Sequence, residues 1–116
     1  FKFALAGGMA LHKETAERWQ KITHKPILQG YGLTECAPAV CIDPLEKAYH
    51  NDSIGLPLPS TEIKICDEND QAVAINSVGE LCVKGPQVMT GYWHQPIENQ
   101  LIFNPDGWLK SGDLAY

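Results

Sequence analysis

Apolar and polar positions along this chain switch between two periods, and the switches divide it. Phe1, Phe3 and Leu5 alternate with Lys2, Ala4 and Ala6, the period of two that marks a strand. Gly7-Gly8 breaks the alternation. From Lys13 to His24 the spacing becomes helical, with Ala16, Trp19 and Ile22 on one face. Glu14 with Arg18, and Glu17 with Lys21, are i,i+4 pairs in the favourable order. Pro26 keeps Lys25 out of the helical region and so ends the helix. Pro26-Ile27-Leu28 restarts extended chain. Strand, helix and strand with short links predict a parallel βαβ unit with a right-handed crossover.

Residues 36–60 show no period and hold Pro38, Pro44, Gly55, Pro57 and Pro59, which predicts a long ordered loop. Loops of that length inside a compact domain tend to carry function. Alternation returns at Glu62-Ile63-Lys64-Ile65, and Asp67 to Asp70 is turn chemistry. Ala72 to Ile75 is then predicted as the second arm of a hairpin. Gly79 opens another strand, Glu80 to Lys84, which Gly85-Pro86 stops. Pro96 suits the first turn of a short helix over 96–102. Asn104 to Gly107 is a turn, and Trp108 to Tyr116 is a last strand broken at Gly112. The fold class is therefore α/β: a partial α/β subdomain over 1–59, then a β-rich antiparallel subdomain over 60–116.

Composition narrows the partners. The 116 residues suffice for one modest domain, which would bury roughly 65% of its unfolded surface. Hydrophobic content of 44% and charged content of 20% are those of a soluble globular protein. Fourteen acidic against nine basic residues give a charge of −5, which argues against nucleic acid but not against a nucleotide. No apolar run reaches the ~20 residues of a membrane span, and no charged-then-apolar leader opens the chain. Cys36, Cys41, Cys66 and Cys82 lack metal spacing and are expected as reduced thiols of a cytosolic protein. His12, His24, His50 and His94 are scattered without metal spacing. Both ends fall on strand patterns, so a boundary inside a larger protein is expected, with exposed edges through which a fragment would self-associate.

Three segments offer chemistry. Gln29-Gly30-Tyr31-Gly32-Leu33-Thr34-Glu35 follows a predicted parallel strand, where open α/β sheets place ligands. Its glycines permit close backbone approach, Tyr31 offers a flat face to a base, Thr34 a hydroxyl to phosphate, and Glu35 a hard carboxylate to magnesium. The bland alternative is a tight turn with Tyr31 in the core. Gly107 to Asp113 places an Asp after a Gly in a strand, suited to ribose hydroxyls, or else a bulge with an exposed Asp. Gly79 to Pro86, followed by Gly91-Tyr92-Trp93, reads as structural, with Glu80 and Lys84 solvated. Gly7-Gly8 reads as a turn.

These segments also carry a resemblance. GYGLTECAP at 30–38 resembles the Tyr-Gly-x-Thr-Glu motif of the adenylate-forming superfamily. GELCVKGPQVMTGYW at 79–93, GWLKSGDLAY at 107–116 and FALAGGMAL at 3–11 are similar to its neighbouring motifs, in the right order. SIGLPLPSTEIKICD at 53–67 is most similar to bacterial long-chain fatty-acid–CoA ligases. Met9-Ala10 stands where Ala-Pro is frequent, and Ser111 where Thr is frequent.

The resemblance implies part of the large N-terminal domain of such an enzyme, and it implies roles. Thr34 would bind ATP phosphates, Glu35 would hold Mg2+, and Asp113 would bind the ribose hydroxyls. Tyr31, Gly30 and Gly32 would face adenine and the acyl channel, and Gly7 and Gly8 would line the same pocket. A fatty carboxylate attacks the α-phosphate of MgATP to give acyl-AMP and pyrophosphate; coenzyme A then displaces AMP. The phosphate loop would precede Phe1, and a mobile domain with a catalytic lysine would follow Tyr116, so the isolated chain is expected to be inactive. Thr34, Glu35 and Asp113 are expected to converge on one cleft. Two alternatives stay open: activation of an aryl, short-chain or amino acid, and a non-catalytic β-rich module. Membrane association of the parent enzyme, at the inner face, also stays open.

Overall fold

The computed structural model describes residues 2–46 and 51–116. Phe1, the predicted start of the first strand, and His50 lie outside the described residues. The chain separates into two compact units, one running to Thr34 and resuming over Pro38–Leu58, the other comprising Glu35–Ala37 and Pro59–Tyr116.

In the first unit, β1 (Ala4–Ala6) pairs in parallel with β2 (Ile27–Gly32) through α1 (Lys13–Thr23), the predicted βαβ unit. The helix starts without a side-chain cap, the amides of Thr15 and Ala16 donating to the His12 carbonyl. It stops at His24, whose left-handed φ of 56° lets its N–H reach the Gln20 carbonyl. Ala16 is buried, Trp19 half-buried and Ile22 exposed, so the apolar stripe is narrower than its spacing suggests. The ion pair on this helix is Lys13–Glu17 at 3.9 Å, and the predicted Glu14–Arg18 and Glu17–Lys21 pairs do not form. Exposed pairs of long side chains gain too little to overcome rotamer entropy. Phe3 and Leu5 are more than half exposed. Parallel strands need cover on both faces, and the described residues leave these two side chains open.

The predicted loop over 36–60 is a loop only in part. Ala39–Ile42 forms β3, antiparallel to β2, and Leu56–Pro57 forms a short β4 beside it, giving the sheet order β1-β2-β3-β4. Val40 and Cys41 are both fully buried. A strand covered on both faces has no alternation to reveal it, and the flanking prolines disguised its bounds.

In the second unit, β5 (Glu62–Cys66), β6 (Gly79–Lys84) and β7 (Leu109–Ala115) form an antiparallel sheet with β6 central. Leu81, Cys82 and Val83 are consecutive and buried. The predicted hairpin return over 72–75 forms only at its start: Ala72 makes an antiparallel bridge to Cys66 and the Val73 amide donates to the Ile65 carbonyl at 2.9 Å, Ile75 is exposed, and the full ladder of β5 is with β6. The Asp67 carboxylate closes the intervening turn by accepting from the amides of Asn69 and Gln71, both at 2.9 Å. That local solution leaves Ala72 to Ile75 no full ladder. Lys110 pairs with Asp70 at 3.1 Å, and Lys64 and Lys84 sit 4.7 and 5.8 Å from the Trp108 ring centre. The short helix α2 (Pro96–Ile102) forms as predicted, with proline in its first turn.

β7 is continuous, where a break at Gly112 was expected. The β6–β7 register slips between Glu80 and Cys82, so residues around Gly112 bulge out of the ladder. All four cysteines are buried free thiols. Burial raises the pKa of Cys36 and Cys41, and burial with a hydrogen bond donated to Cys66 takes Cys82 to about 12. Such thiols are inert. Among the described residues no helix is long and apolar enough to cross a membrane.

A side chain at Gly79 would place its Cβ 2.4 Å from the Cys66 carbonyl oxygen. Gly79→Ala should therefore lower unfolding free energy by about 1–3 kcal/mol, read from the midpoint of urea denaturation. An unchanged midpoint would contradict this packing.

Candidate functional site

Register alone brings the two glycine segments of the first unit together. Ala6 lies opposite Gln29 in the parallel ladder, so Gly7, just past the end of β1, comes beside Gly30 within β2. A Cβ on Gly7 would stand 3.2 Å from the Gly30 carbonyl oxygen. Gly8, at φ 88°, opens onto free space. Tyr31 is half-buried in β2 opposite Cys41, so it is partly the core tyrosine of the bland alternative. Gly32 is a glycine for the chain's own sake: a Cβ there would lie 1.9 Å from the Pro38 carbonyl oxygen. That oxygen accepts the Leu33 amide at 2.7 Å, which closes the segment carrying the 3-10 turn Thr34–Cys36. Thr34 opens this turn and is exposed.

Two residues that the motif reading passed over hold this segment. Asp43 is buried, at 3% exposure. Its Oδ2 accepts the Gln29 amide at 2.6 Å, and its own amide donates to the Gln29 carbonyl at 2.8 Å. The Gln29 side chain accepts the Leu11 amide at 3.4 Å and donates to the Asn51 and Ser53 carbonyls at 2.9 and 3.3 Å. Gln29 thus ties the strand before the glycines to the chain after Gly8. The only sequence signal was an acid just before Pro44, at the end of an apolar run.

In the second unit, the Tyr92 hydroxyl donates to Glu35 Oε1, and the Met89 amide donates to the Glu35 carbonyl at 2.8 Å. Among the described residues no cation pairs with this carboxylate. The Tyr92 hydrogen bond, helped by a backbone hydrogen bond and opposed by burial, holds the Glu35 carboxyl below the usual carboxylate range. The same hydrogen bond raises the Tyr92 phenol. The signs are opposite. The Glu35 contribution to stability is complete above its unfolded pKa and is lost as pH falls through its lowered folded pKa. The Tyr92 contribution is complete below the ordinary phenol range and is lost as pH rises through its raised folded pKa.

Asp113 is exposed in the β7 bulge, as the bland alternative had it. The bulge is nevertheless built. The Gly112 amide, at φ 78°, donates to Glu80 Oε1 at 2.9 Å, and the Asp113 amide donates to Ser111 Oγ at 3.1 Å. Glu80 is therefore not merely solvated. Lys84 also has a partner, the Asp106 carbonyl at 3.0 Å. Beside the bulge a concavity of about 690 Å³ is bordered by Asp67, Glu68, Glu80, Gly112 and Leu114, among others. Its carboxylates repel phosphate but suit hydroxyl donors such as those of a ribose.

The first unit thus carries glycines around its parallel strand pair, and the second carries acidic residues held by neutral donors. The model of the AMP-binding enzyme family matches residues 1–93, and the chain belongs to that family. It is 55% identical over 109 residues to a long-chain-fatty-acid--CoA ligase of Salmonella typhimurium, covering 94% of this chain and 19% of that protein. The chain thus spans about a fifth of the length of the curated relatives it matches. Among solved structures, apo MatB from Rhodopseudomonas palustris matches with a TM-score of 0.91 at 28% identity, over 97% of this chain and 22% of that one. ATP-bound MatB from the same organism matches with a TM-score of 0.89 at 28% identity over the same shares.

Two measurements check the geometry. In an NMR pH titration the Glu35 carboxyl should titrate below the ordinary carboxylate range and move up in Tyr92→Phe; an unmoved midpoint would contradict the contact. Glu80→Ala should speed amide exchange at Gly112 about fivefold, the loss of ~1 kcal/mol, while Glu80→Gln retains most of the protection. Equal exchange in the two variants would show that Glu80 does not hold the bulge.

Proposed function

We propose that the protein carrying this chain is an ATP-dependent, AMP-forming fatty-acid–CoA ligase acting on long-chain acids. This chain supplies part of its ATP-binding surface. The observation that carries the reading is the Glu35 carboxylate: ionised, half-buried, held by a neutral donor and paired with no cation among the described residues, in a family of AMP-binding enzymes. The long-chain substrate draws its support from the identity to the Salmonella ligase. ATP draws its support from the likeness to the ATP-bound MatB structure.

The residues divide the work by their chemistry. Magnesium takes one or two carboxylates and completes its octahedron with phosphate oxygens and water. Glu35 fits that demand, because Tyr92 occupies one carboxylate oxygen without cancelling the charge. The bound ion would neutralise phosphate charge as pyrophosphate leaves. Thr34 offers its exposed hydroxyl to a phosphate oxygen. The open backbone at Gly8 lets a ligand approach the main chain without a side chain in the way. Asp113, on its ordered bulge, accepts from the ribose hydroxyls. The fatty carboxylate is then the nucleophile at the α-phosphate, and the coenzyme A thiol attacks the resulting acyl-AMP. For the first step the protein needs to position groups and balance charge, as in phosphoryl transfer.

In the full-length protein, acid-dependent exchange of labelled pyrophosphate into ATP should be strongest for long-chain acids and weak for aryl, short-chain and amino acids. Glu35→Gln should reduce kcat/KM for that exchange by ~100-fold, the scale of a lost electrostatic contact in the transition state. Asp113→Ala should act mainly through a raised KM for ATP. Preferential exchange with an aryl or amino acid would overturn the substrate assignment. Full activity of Glu35→Gln would overturn the role of Glu35.

A further inference from the structure

The segment Gly85 to Asn99 supplies the one side-chain hydrogen bond to Glu35 among the described residues, through Tyr92. We propose that Tyr92, locked in place by Asn99, is a positioning residue that fixes the Glu35 carboxylate for binding of the magnesium–nucleotide substrate. The proposal deepens the reading of Glu35 as the metal-holding carboxylate and rests on it.

Three observations within the second unit carry it. The first is the contact itself. A phenol oriented on Oε1 restrains one carboxylate oxygen and leaves the second oxygen and the charge to a cation. A lysine or arginine in the same place would have neutralised the group.

The second is the anchoring of Tyr92. The Asn99 carboxamide satisfies both main-chain polar groups of that residue. Its Oδ1 accepts the Tyr92 amide at 2.7 Å, and its Nδ2 donates to the Tyr92 carbonyl at 3.0 Å. The approach is so close that a Cβ on Gly91, at φ 145°, would stand 2.8 Å from Asn99 Nδ2. The glycine before Tyr92 thus serves the Asn99 clamp. The clamp stands on α2, and the Asn99 amide bonds back to the Gln95 carbonyl at 3.0 Å.

The third is exposure. Tyr92 is 38% exposed and Trp93 beside it 87%. Solvent reaches Tyr92, and what a tyrosine adds here over phenylalanine is the hydroxyl. The Met89 amide meanwhile holds the Glu35 main chain from the same segment. Both the backbone and the side chain of Glu35 are set by residues about 55 positions away, through contacts that spend no positive charge.

The test is calorimetric binding of ATP to the full-length protein without fatty acid or coenzyme A. It is run with excess Mg2+ and again with a chelator, for wild type, Tyr92→Phe, Asn99→Ala, Glu35→Gln and the Tyr92→Phe/Glu35→Gln pair. Tyr92→Phe should weaken MgATP binding by about tenfold, the scale of a hydrogen bond to a charged group, and leave metal-free ATP binding unchanged. Asn99→Ala should shift it in the same direction by less. The double variant should bind like Glu35→Gln alone, because the two residues act through one carboxylate. If Glu35→Gln weakens MgATP binding but Tyr92→Phe does not, positioning by Tyr92 is overturned and the reading of Glu35 stands. If Glu35→Gln itself leaves MgATP binding unchanged, both are overturned. If Tyr92→Phe weakens metal-free and metal-bound ATP alike, its role is structural and the proposal fails.

Discussion

The carbonyl of Pro38 stands where a side chain at residue 32 would be. Gly32 alone makes room for it, with a Cβ position only 1.9 Å from that oxygen. This close approach, sealed by the Leu33 amide at 2.7 Å, turns the chain back within a few residues of leaving β2. The turn sends β3 alongside β2 as an antiparallel neighbour and closes the first sheet beyond its parallel pair. The same closure encloses the 3-10 turn that begins at Thr34. The glycine most constrained by the chain's own packing thus lies inside the segment proposed to meet phosphate and magnesium. A substitution at Gly32 would disturb fold and function together, so loss of activity there would say little about ligand contacts.

How much of this was legible in the sequence depends on whether one face of an element met water. The βαβ unit was legible because α1 keeps a polar face and Pro26 marks its end, and α2 because Pro96 opens it. β3 was not, because Val40 and Cys41 are buried on both sides and erase the alternation. The hairpin arm over 72–75 shows the converse error: it pairs only as far as Val73, and Ile75 is apolar but exposed. Phe3 and Leu5 alternate correctly for a strand, yet both are more than half exposed among the described residues.

The candidate site divides in the same way. Residue types that advertise chemistry, such as Thr34, Glu35 and Asp113, were visible in the sequence. The residues that hold them were not. Glu80 reaches Gly112 across 32 positions and Tyr92 reaches Glu35 across 57. Both had been read as ordinary members of a structural motif. Asp43 offers only its place before Pro44 as a signal, although its buried carboxylate fixes the Gln29 main chain. Short spacings are readable along a chain, whereas long-range hydrogen bonds become visible only once the sheets are built. The motif over 79–93 is therefore better understood as support for the acidic residues than as scaffold alone.

The chemistry assigned to the parent protein requires that a carboxylate oxygen of the fatty acid become bonded to the α-phosphorus of ATP. Full-length protein supplied with fatty acid labelled with 18O in its carboxylate, ATP and coenzyme A tests this directly by mass spectrometry of the products. One 18O atom in the phosphate group of AMP, with pyrophosphate unlabelled, is the predicted result. Label in orthophosphate with ADP as the nucleotide product, or AMP free of label, would contradict the account.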